Sequence, residues 1–177
     1  MGDRLRLECS KSVVRDWSPA DKPDLVRYAN NRNVWRNLAL LPHPYTDADA
    51  DAWLARVAAA PEPSHWAIEV DGHAVGGIGV FVGDGISCKR GDFGYWLGEA
   101  FWGRGIMSEA ARAVAPYAME RFGLRRLEAS VFAWNPASMR VLEHAGFVQE
   151  GVSRASVFKD GELIDEVNYA LVDLGGG

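Results

Sequence analysis

The sequence predicts a mixed α/β domain built on a mostly antiparallel sheet, and three observations carry that expectation. The 177 residues are 48% hydrophobic and 24% charged, which suffices to bury a core in a single domain, residues 1–177, without disulfide or metal staples. The elements follow as a strand, two helices, three strands, a helix, a strand, a helix and a closing set of strands. That order lacks the repeated βα alternation of a doubly wound fold. Finally, an aromatic-rich extended run from Asp92 passes through Gly103 and Gly105 straight into an alanine-rich helical pattern.

Ser12–Trp17 reads as the first strand, and Ser18-Pro19-Ala20-Asp21 starts a helix with an N-cap, an N1 proline and a third-position acid. The helix runs to about Asn30, and residues 31–38 form a short helical turn. Leu41-Pro42-His43-Pro44-Tyr45 is held extended by its prolines. Thr46 then caps a helix in which Asp47, Asp49 and Asp51 favour the N-terminal dipole, and Pro61 and Pro63 end it. His65–Val70 and Val75–Val82 flank Asp71-Gly72, a two-residue hairpin signal. After the loop 83–91 come the strand Asp92–Leu97 and a helix from about Gly105 to Phe122, closed by Gly123. Pro116 lies inside that helix, removes the bond to the Arg112 carbonyl and predicts a kink. Leu127–Phe132 is a strand, Asn135-Pro136 opens a helix to His144, and Gly146 stops it. Phe147–Val152, Ser153–Phe158 and Leu163–Leu171 read as closing strands, the last two flanking Asp160-Gly161, with a frayed end at Gly175-Gly176-Gly177.

A formal charge of −5 and the lack of a Lys/Arg cluster argue against nucleic-acid binding, and suit cationic acceptors such as amines or basic peptides. Cys9 and Cys88 form no C-x-x-C, so thiols in a reducing compartment are expected. No apolar run approaches 18 residues, no leader opens the chain, and Met1-Gly2-Asp3-Arg4-Leu5-Arg6 lacks the Ser/Thr of a myristoylation signal. The expectation is a soluble cytoplasmic protein with no membrane partner. His43, His65, His73 and His144 are scattered without i,i+4 pairing, so no metal is expected.

Gly103 and Gly105 permit positive φ and let an anion approach the backbone, while the first turn of the following helix offers unpaired N–H groups and a partial positive charge. The stretch therefore reads as strand, anion loop and helix, the site of a phosphate-bearing cofactor. A plain tight turn would use the same glycines. Asn135 and Ser138, three apart, share one end of their helix, and Asn135 is a good N-cap in its own right.

Trp102-Gly103-Arg104-Gly105-Ile106-Met107, with Gly94-Tyr95-Trp96-Leu97-Gly98 before it and Ser108-Glu109-Ala110 after it, resembles the pyrophosphate loop of the GNAT acetyltransferase superfamily. The closest likeness is to the ribosomal-protein-serine/alanine (RimJ/RimL-like) branch. The resemblance extends to Leu41–Thr46 with Ala50 and Trp53, Trp66-Ala67-Ile68, Val75-Gly76-Gly77-Ile78, Asn135-Pro136-Ala137-Ser138, Ala145-Gly146-Phe147, and Asp160-Gly161 with Asp165. Trp102 and Met107 depart from the first and last positions of the family's Q/R-x-x-G-x-G/A loop.

The resemblance implies the GNAT acyl-CoA N-acyltransferase fold, a splayed sheet of about seven strands with acetyl-CoA in the splay. It implies pyrophosphate contacts at Trp102, Gly103, Arg104, Gly105, Ile106 and Met107, and a Leu97 main chain that pairs with pantetheine and turns an N–H toward the thioester oxygen. Asn135 would hold the pantetheine arm and Ser138 would meet the departing thiolate, since Leu142 stands where many GNAT enzymes carry tyrosine. Asp92 would receive the proton or bind the acceptor's ammonium, with Asp165 and Glu166 second. Trp17, Trp35 and Tyr45 would wall the acceptor pocket. The implied function is acetyl transfer from acetyl-CoA directly to a primary amine, by a monomer or homodimer. An α-amine with pKa near 8 is about 10% neutral at pH 7 and lysine below about 0.1%, a gap of roughly 3.3 kcal/mol that favours a protein N-terminus. An aminoglycoside, polyamine or other small amine is the alternative acceptor, and a non-catalytic CoA-binding sensor or interaction module is the alternative of another class. A dinucleotide enzyme lacks support, because G-x-G-x-x-G after the first strand and G-K-[ST] are both missing.

Overall fold

A computed structural model describes residues 5–175, so the expectations for Met1–Arg4, Gly176 and Gly177 lie outside the described residues. Two compact units emerge: Met1–Gly79 with Tyr95–Ala110, and Val80–Gly94 with Ala111–Gly177.

In the first unit, β1 (Arg6–Glu8), β2 (Val13–Asp16), β3 (His65–Val70) and the first part of β4 (His73–Val82) pair antiparallel in that order. β1 is missing from the sequence reading because three residues alternating charge and leucine carry no period long enough to register. The β3–β4 hairpin turns through Asp71 (φ 50°) and Gly72 (φ 81°), the positive-φ pair that Asp-Gly announces. Ser18 caps as expected, with Asp21 completing its capping box, but the first turn is 3-10 (Pro19–Asp21) before α1 (Lys22–Ala29) begins. α2 covers Arg32–Arg36, and α3 covers Asp47–Ala59 behind a second capping box, Thr46 with Asp49. Leu25, Ala29, Tyr45 and Ala50 form a buried cluster against which Trp17, Trp53 and Trp96 pack.

In the second unit, the end of β4 lies beside the first part of β5 (Arg90–Leu97), which runs parallel to β6 (Arg126–Phe132). β6 then pairs antiparallel with β8 (Glu162–Val172), and β8 with β7 (Val148–Lys159). The described residues thus form eight strands where about seven are expected, and every described pairing except β5 with β6 is antiparallel. β7 is one strand where two are expected. Val152 and Ser153, where the break is expected, both pair with β8, and a bulge follows: the register shifts between Ser153 and Val157, Ala155 sits at φ 48°, and its N–H donates to Asp165 Oδ1 at 2.7 Å. α4 runs unbroken from Ile106 to Arg121 past Pro116, and α5 from Pro136 to His144. Among the described residues there is no disulfide, no cluster able to hold a metal, and no helix long and apolar enough to cross a membrane.

His65 packs edge-on against Trp53 and takes a 3.0 Å hydrogen bond with Ser64 Oγ. Burial, with Arg56 nearby, pushes its imidazole down to about 4. The unfolded chain therefore binds this proton at a higher pH than the fold does. Stability contributed by neutral His65 is complete above about pH 6.5 and is lost as pH falls toward 4. Between pH 7 and pH 5 the loss should reach about 2 kcal/mol. Urea titrations at both pH values should show this difference in wild type and a smaller one in His65→Gln.

Candidate active site

The loop after β5 is built by its glycines. Gly103 and Gly105 sit at φ 73° and 76°, conformations that glycine adopts without strain, and nothing lies within 4 Å of a Cβ added at Gly103. Glu109 N–H donates to the Gly105 carbonyl at 3.1 Å. The N–H groups of Ile106, Met107 and Ser108 precede that first helical bond, so they are the opening donors of α4. The Ile106 and Met107 side chains are buried, and only their main chain is available to a ligand, whereas Trp102, Gly103, Arg104 and Gly105 are exposed. Arg104 rests its guanidinium 5.3 Å from the Phe101 ring centre.

Leu97 ends β5 with its side chain buried. Gly98 N–H donates to the Val75 carbonyl at 2.8 Å, so Gly98 faces β4 and the main-chain groups of Leu97, one residue earlier, point away from it. The Leu97 carbonyl accepts from Trp102 Nε1 at 2.7 Å. Trp102, given a cofactor contact by resemblance, thus tethers the loop to the strand that precedes it. Gly76 and Gly77 make room for this strand end: a Cβ at Gly76 would lie 2.5 Å from the Trp96 carbonyl, and one at Gly77 would lie 2.8 Å from Trp96 Nε1.

Asp92 is exposed, the third residue of β5, opposite Glu128 in register. It shares the exposed face of the strand with Gly94 and stands five residues before Leu97 in the chain. The parallel ladder between β5 and β6 covers Arg90–Asp92 with Arg126–Glu128. Asn135 caps α5, accepting from Ser138 N–H at 3.2 Å, so these two residues are brought together, and Ser138 is half-buried. Asp165 and Glu166 are engaged by β7: Asp165 takes the Ala155 N–H, and Glu166 takes Ser156 Oγ at 3.0 Å.

Trp17 and Tyr45 meet in the first unit's buried cluster, where Trp17 stands edge-on to Trp53 at 6.4 Å. Trp35 packs against His43, with ring centres 5.6 Å apart and planes tilted by 32°. Burial pushes the Tyr45 phenol up to about 12, which keeps it neutral and leaves it no role as a proton acceptor at physiological pH.

Two residues that reach the loop from the β1–β2 turn, Ser10 and Lys11, lack any sequence signal. Ser10 Oγ donates to both carboxylate oxygens of Glu109, at 2.7 and 2.8 Å, and Lys11 Nζ lies 3.6 Å from Glu109 Oε1. The Ser10 hydroxyl, with the Lys11 ammonium, holds the Glu109 carboxyl below its ordinary value. The donor set of open main-chain N–H groups, Arg104 and Lys11 matches a diphosphate.

Residues 12–148 match the acetyltransferase (GNAT) domain family. The chain is 38% identical over 103 residues to the Bacillus subtilis (strain 168) protein named probable N-acetyltransferase YjcK, a match covering 58% of this chain and 57% of that one. It is 34% identical over 85 residues to the ribosomal-protein-serine acetyltransferase of Escherichia coli (strain K12), covering 48% and 47%. The chain thus spans about half the length of these curated relatives. Among solved structures, the RimL ribosomal L7/L12 alpha-N-protein acetyltransferase in complex with coenzyme A superimposes with a TM-score of 0.83 at 20% identity, covering 95% of this chain and 98% of that one. That likeness is one of fold, and it agrees with the mixed α/β architecture. With the family matching 137 of its 177 residues, counted inclusively from 12 to 148, this chain belongs to the acetyltransferase (GNAT) domain family.

Proposed function

We propose that residues 1–177 act as one catalytic domain, an acetyl-CoA-dependent N-acetyltransferase whose acceptor is the α-amine of a protein N-terminus. The observation that carries the reading is the opening of α4. Two positive-φ glycines and the N–H groups behind them follow directly on a strand end whose Leu97 main chain points away from its neighbour. Acetyl-CoA would supply the activated acetyl group as a thioester. The chain's own residues would do the rest. Main-chain N–H groups of 103–107 with Arg104 hold the diphosphate, Asn135 holds the pantetheine arm, and the Leu97 N–H receives the thioester oxygen as charge develops on it. Asp92 takes up the acceptor's proton, directly or through ordered water. Ser138 meets the thiolate, Trp17 and Tyr45 shape the acceptor side, and Trp35 lines its approach.

The α-amine acceptor is supported by two features. It carries more neutral amine at pH 7 than lysine does, and a curated relative is named for acetylating a ribosomal protein on serine. A thiol-release assay with acetyl-CoA across Ser- and Ala-initiated peptides, aminoglycosides and polyamines tests the reading. Turnover should be highest on the peptides, and turnover on a small amine alone overturns the acceptor assignment. Acetyl-CoA that neither raises the melting temperature nor releases thiol with any primary amine overturns the activity.

Asp92→Asn should lower kcat about 10²-fold at pH 7 with KM for acetyl-CoA unchanged. If Asp92 takes the ammonium proton, the deficit shrinks as pH rises toward the amine pKa, because the acceptor then arrives neutral. A pH–rate profile from 6.5 to 9.5 reads this, and a deficit constant across that range removes Asp92 from the proton path.

A further inference from the structure

The turn between β1 and β2 carries a cation to a place that already favours anions. The turn is closed by Cys9 N–H donating to the Ser12 carbonyl at 2.9 Å, and it lies against the opening of α4 through Ser10 and Glu109. Lys11 Nζ stands 3.1 Å from where a Cβ on Gly105 would be, so the ammonium rests over the backbone of the loop. There it meets the positive end of α4 and, across the same cleft of about 510 Å³, the Arg104 guanidinium. Like charges so placed repel.

The three carboxylates at hand match these cations in formal charge, but two of them are already engaged. Glu109 lies 3.6 Å from Lys11, and both of its oxygens already accept from Ser10. Glu69, also in the cleft, is paired with Arg15, and Asp71 occupies the β3–β4 turn at φ 50°. A further group in the cleft lacks a partner. Ser12 is 6% exposed, and its buried Oγ has no hydrogen bond. Two cations, Lys11 and Arg104, gathered at the opening N–H groups of α4 beside a buried hydroxyl without a partner, are the complement of a multiply charged oxyanion.

We propose that Lys11 is a second anchor for the cofactor's diphosphate, reaching across Gly105 to the phosphate held by the N–H groups of α4. The proposal rests on the acetyl-CoA reading above and adds a residue from outside the glycine loop. Glu109 holds the ammonium over the loop while the site is empty and yields it to the phosphate on binding. Ser10 keeps Glu109 in place through that exchange.

Calorimetric titration with CoA, 3′-dephospho-CoA and pantetheine tests the assignment on the full chain. Lys11→Met should weaken CoA and 3′-dephospho-CoA alike, by about tenfold, and leave the far weaker pantetheine binding unchanged. Lys11→Arg should keep most of the affinity. Glu109→Gln preserves an acceptor for Ser10 but removes the competing charge, and it should tighten both phosphate-bearing ligands at least twofold. A purely structural Lys11–Glu109 pair predicts losses in both variants. A loss confined to CoA moves Lys11 to the 3′-phosphate and overturns the diphosphate assignment. Wild-type binding that Lys11→Met leaves untouched overturns the anchor alone, whereas wild type that binds no CoA overturns the acetyl-CoA reading and the anchor with it. Lys11 is exposed, so thermal melts of its variants should match wild type and keep the affinity changes interpretable.

Discussion

Arg15→Met should cost about 3–5 kcal/mol of stability. Arg15 lies on β2, and its side chain is 18% exposed. It grips both oxygens of Asp21 at 2.8 Å, donates to the Asp16 carbonyl at 3.0 Å and pairs with Glu69 on β3. Methionine retains the packing of the stem but abandons the Asp21 carboxylate, which is 5% exposed and keeps only the Ser18 N–H as a partner. Burying an unpaired charge is the costly part, so neutralising it should restore much of what is lost. The double variant Arg15→Met/Asp21→Asn should recover more than half of the deficit in urea unfolding. Strictly additive losses would mean that Arg15 acts through its own packing alone. Glu69 is more exposed and can turn to water, which makes Asp21 the partner that decides the outcome.

Asp21 shows what the sequence discloses and what it hides. Its place three residues after Ser18 marks a helix start, and the structure has that capping box, as it has the one at Thr46 and Asp49. Local chemistry of this kind is written in adjacent residues. The partnership of Asp21 with Arg15 and Glu69 is not, because nothing in the period of β2 or β3 specifies which charges meet across them. The same division runs through the candidate site. Gly103 and Gly105 announce their positive φ by being glycine before a helix. Lys11 reaches them from a turn, and its neighbour Ser10 stands 99 residues before Glu109 in the chain. β1, which makes that turn possible, is three residues long and carries no readable pattern. In β7 the misreading has the opposite cause. The expected boundary between Val152 and Ser153 is paired strand, and the irregularity comes after it, in a bulge at Ala155 held by Asp165, a residue on the far side of the hairpin.

The strand end at Leu97 depends on an absence of side chain one strand away, and Gly76→Ala should expose that dependence. Glycine inside a strand weakens it, so its presence in β4 calls for a reason. A Cβ at Gly76 would lie 2.5 Å from the Trp96 carbonyl, 3.0 Å from Leu97 Cδ1 and 3.1 Å from Leu97 Cα, and the first of these contacts is with backbone that has no rotamer to yield. β5 must therefore move off β4 at Trp96 and Leu97, straining the Gly98–Val75 hydrogen bond beside it. We expect a stability loss of about 3 kcal/mol by denaturant titration. Gly94→Ala, on β5 with nothing within 4 Å of its new methyl group, should stay within about 0.5 kcal/mol of wild type. The functional effect should exceed the one that stability explains. At temperatures where Gly76→Ala is still fully folded, kcat should fall at least tenfold, because the Leu97 N–H would no longer stand where thioester charge develops. Affinity for CoA, which the proposed site would draw from the loop beyond Trp102, should change far less. A folded Gly76→Ala protein with wild-type kcat would show that Leu97 contributes packing and nothing to the chemistry.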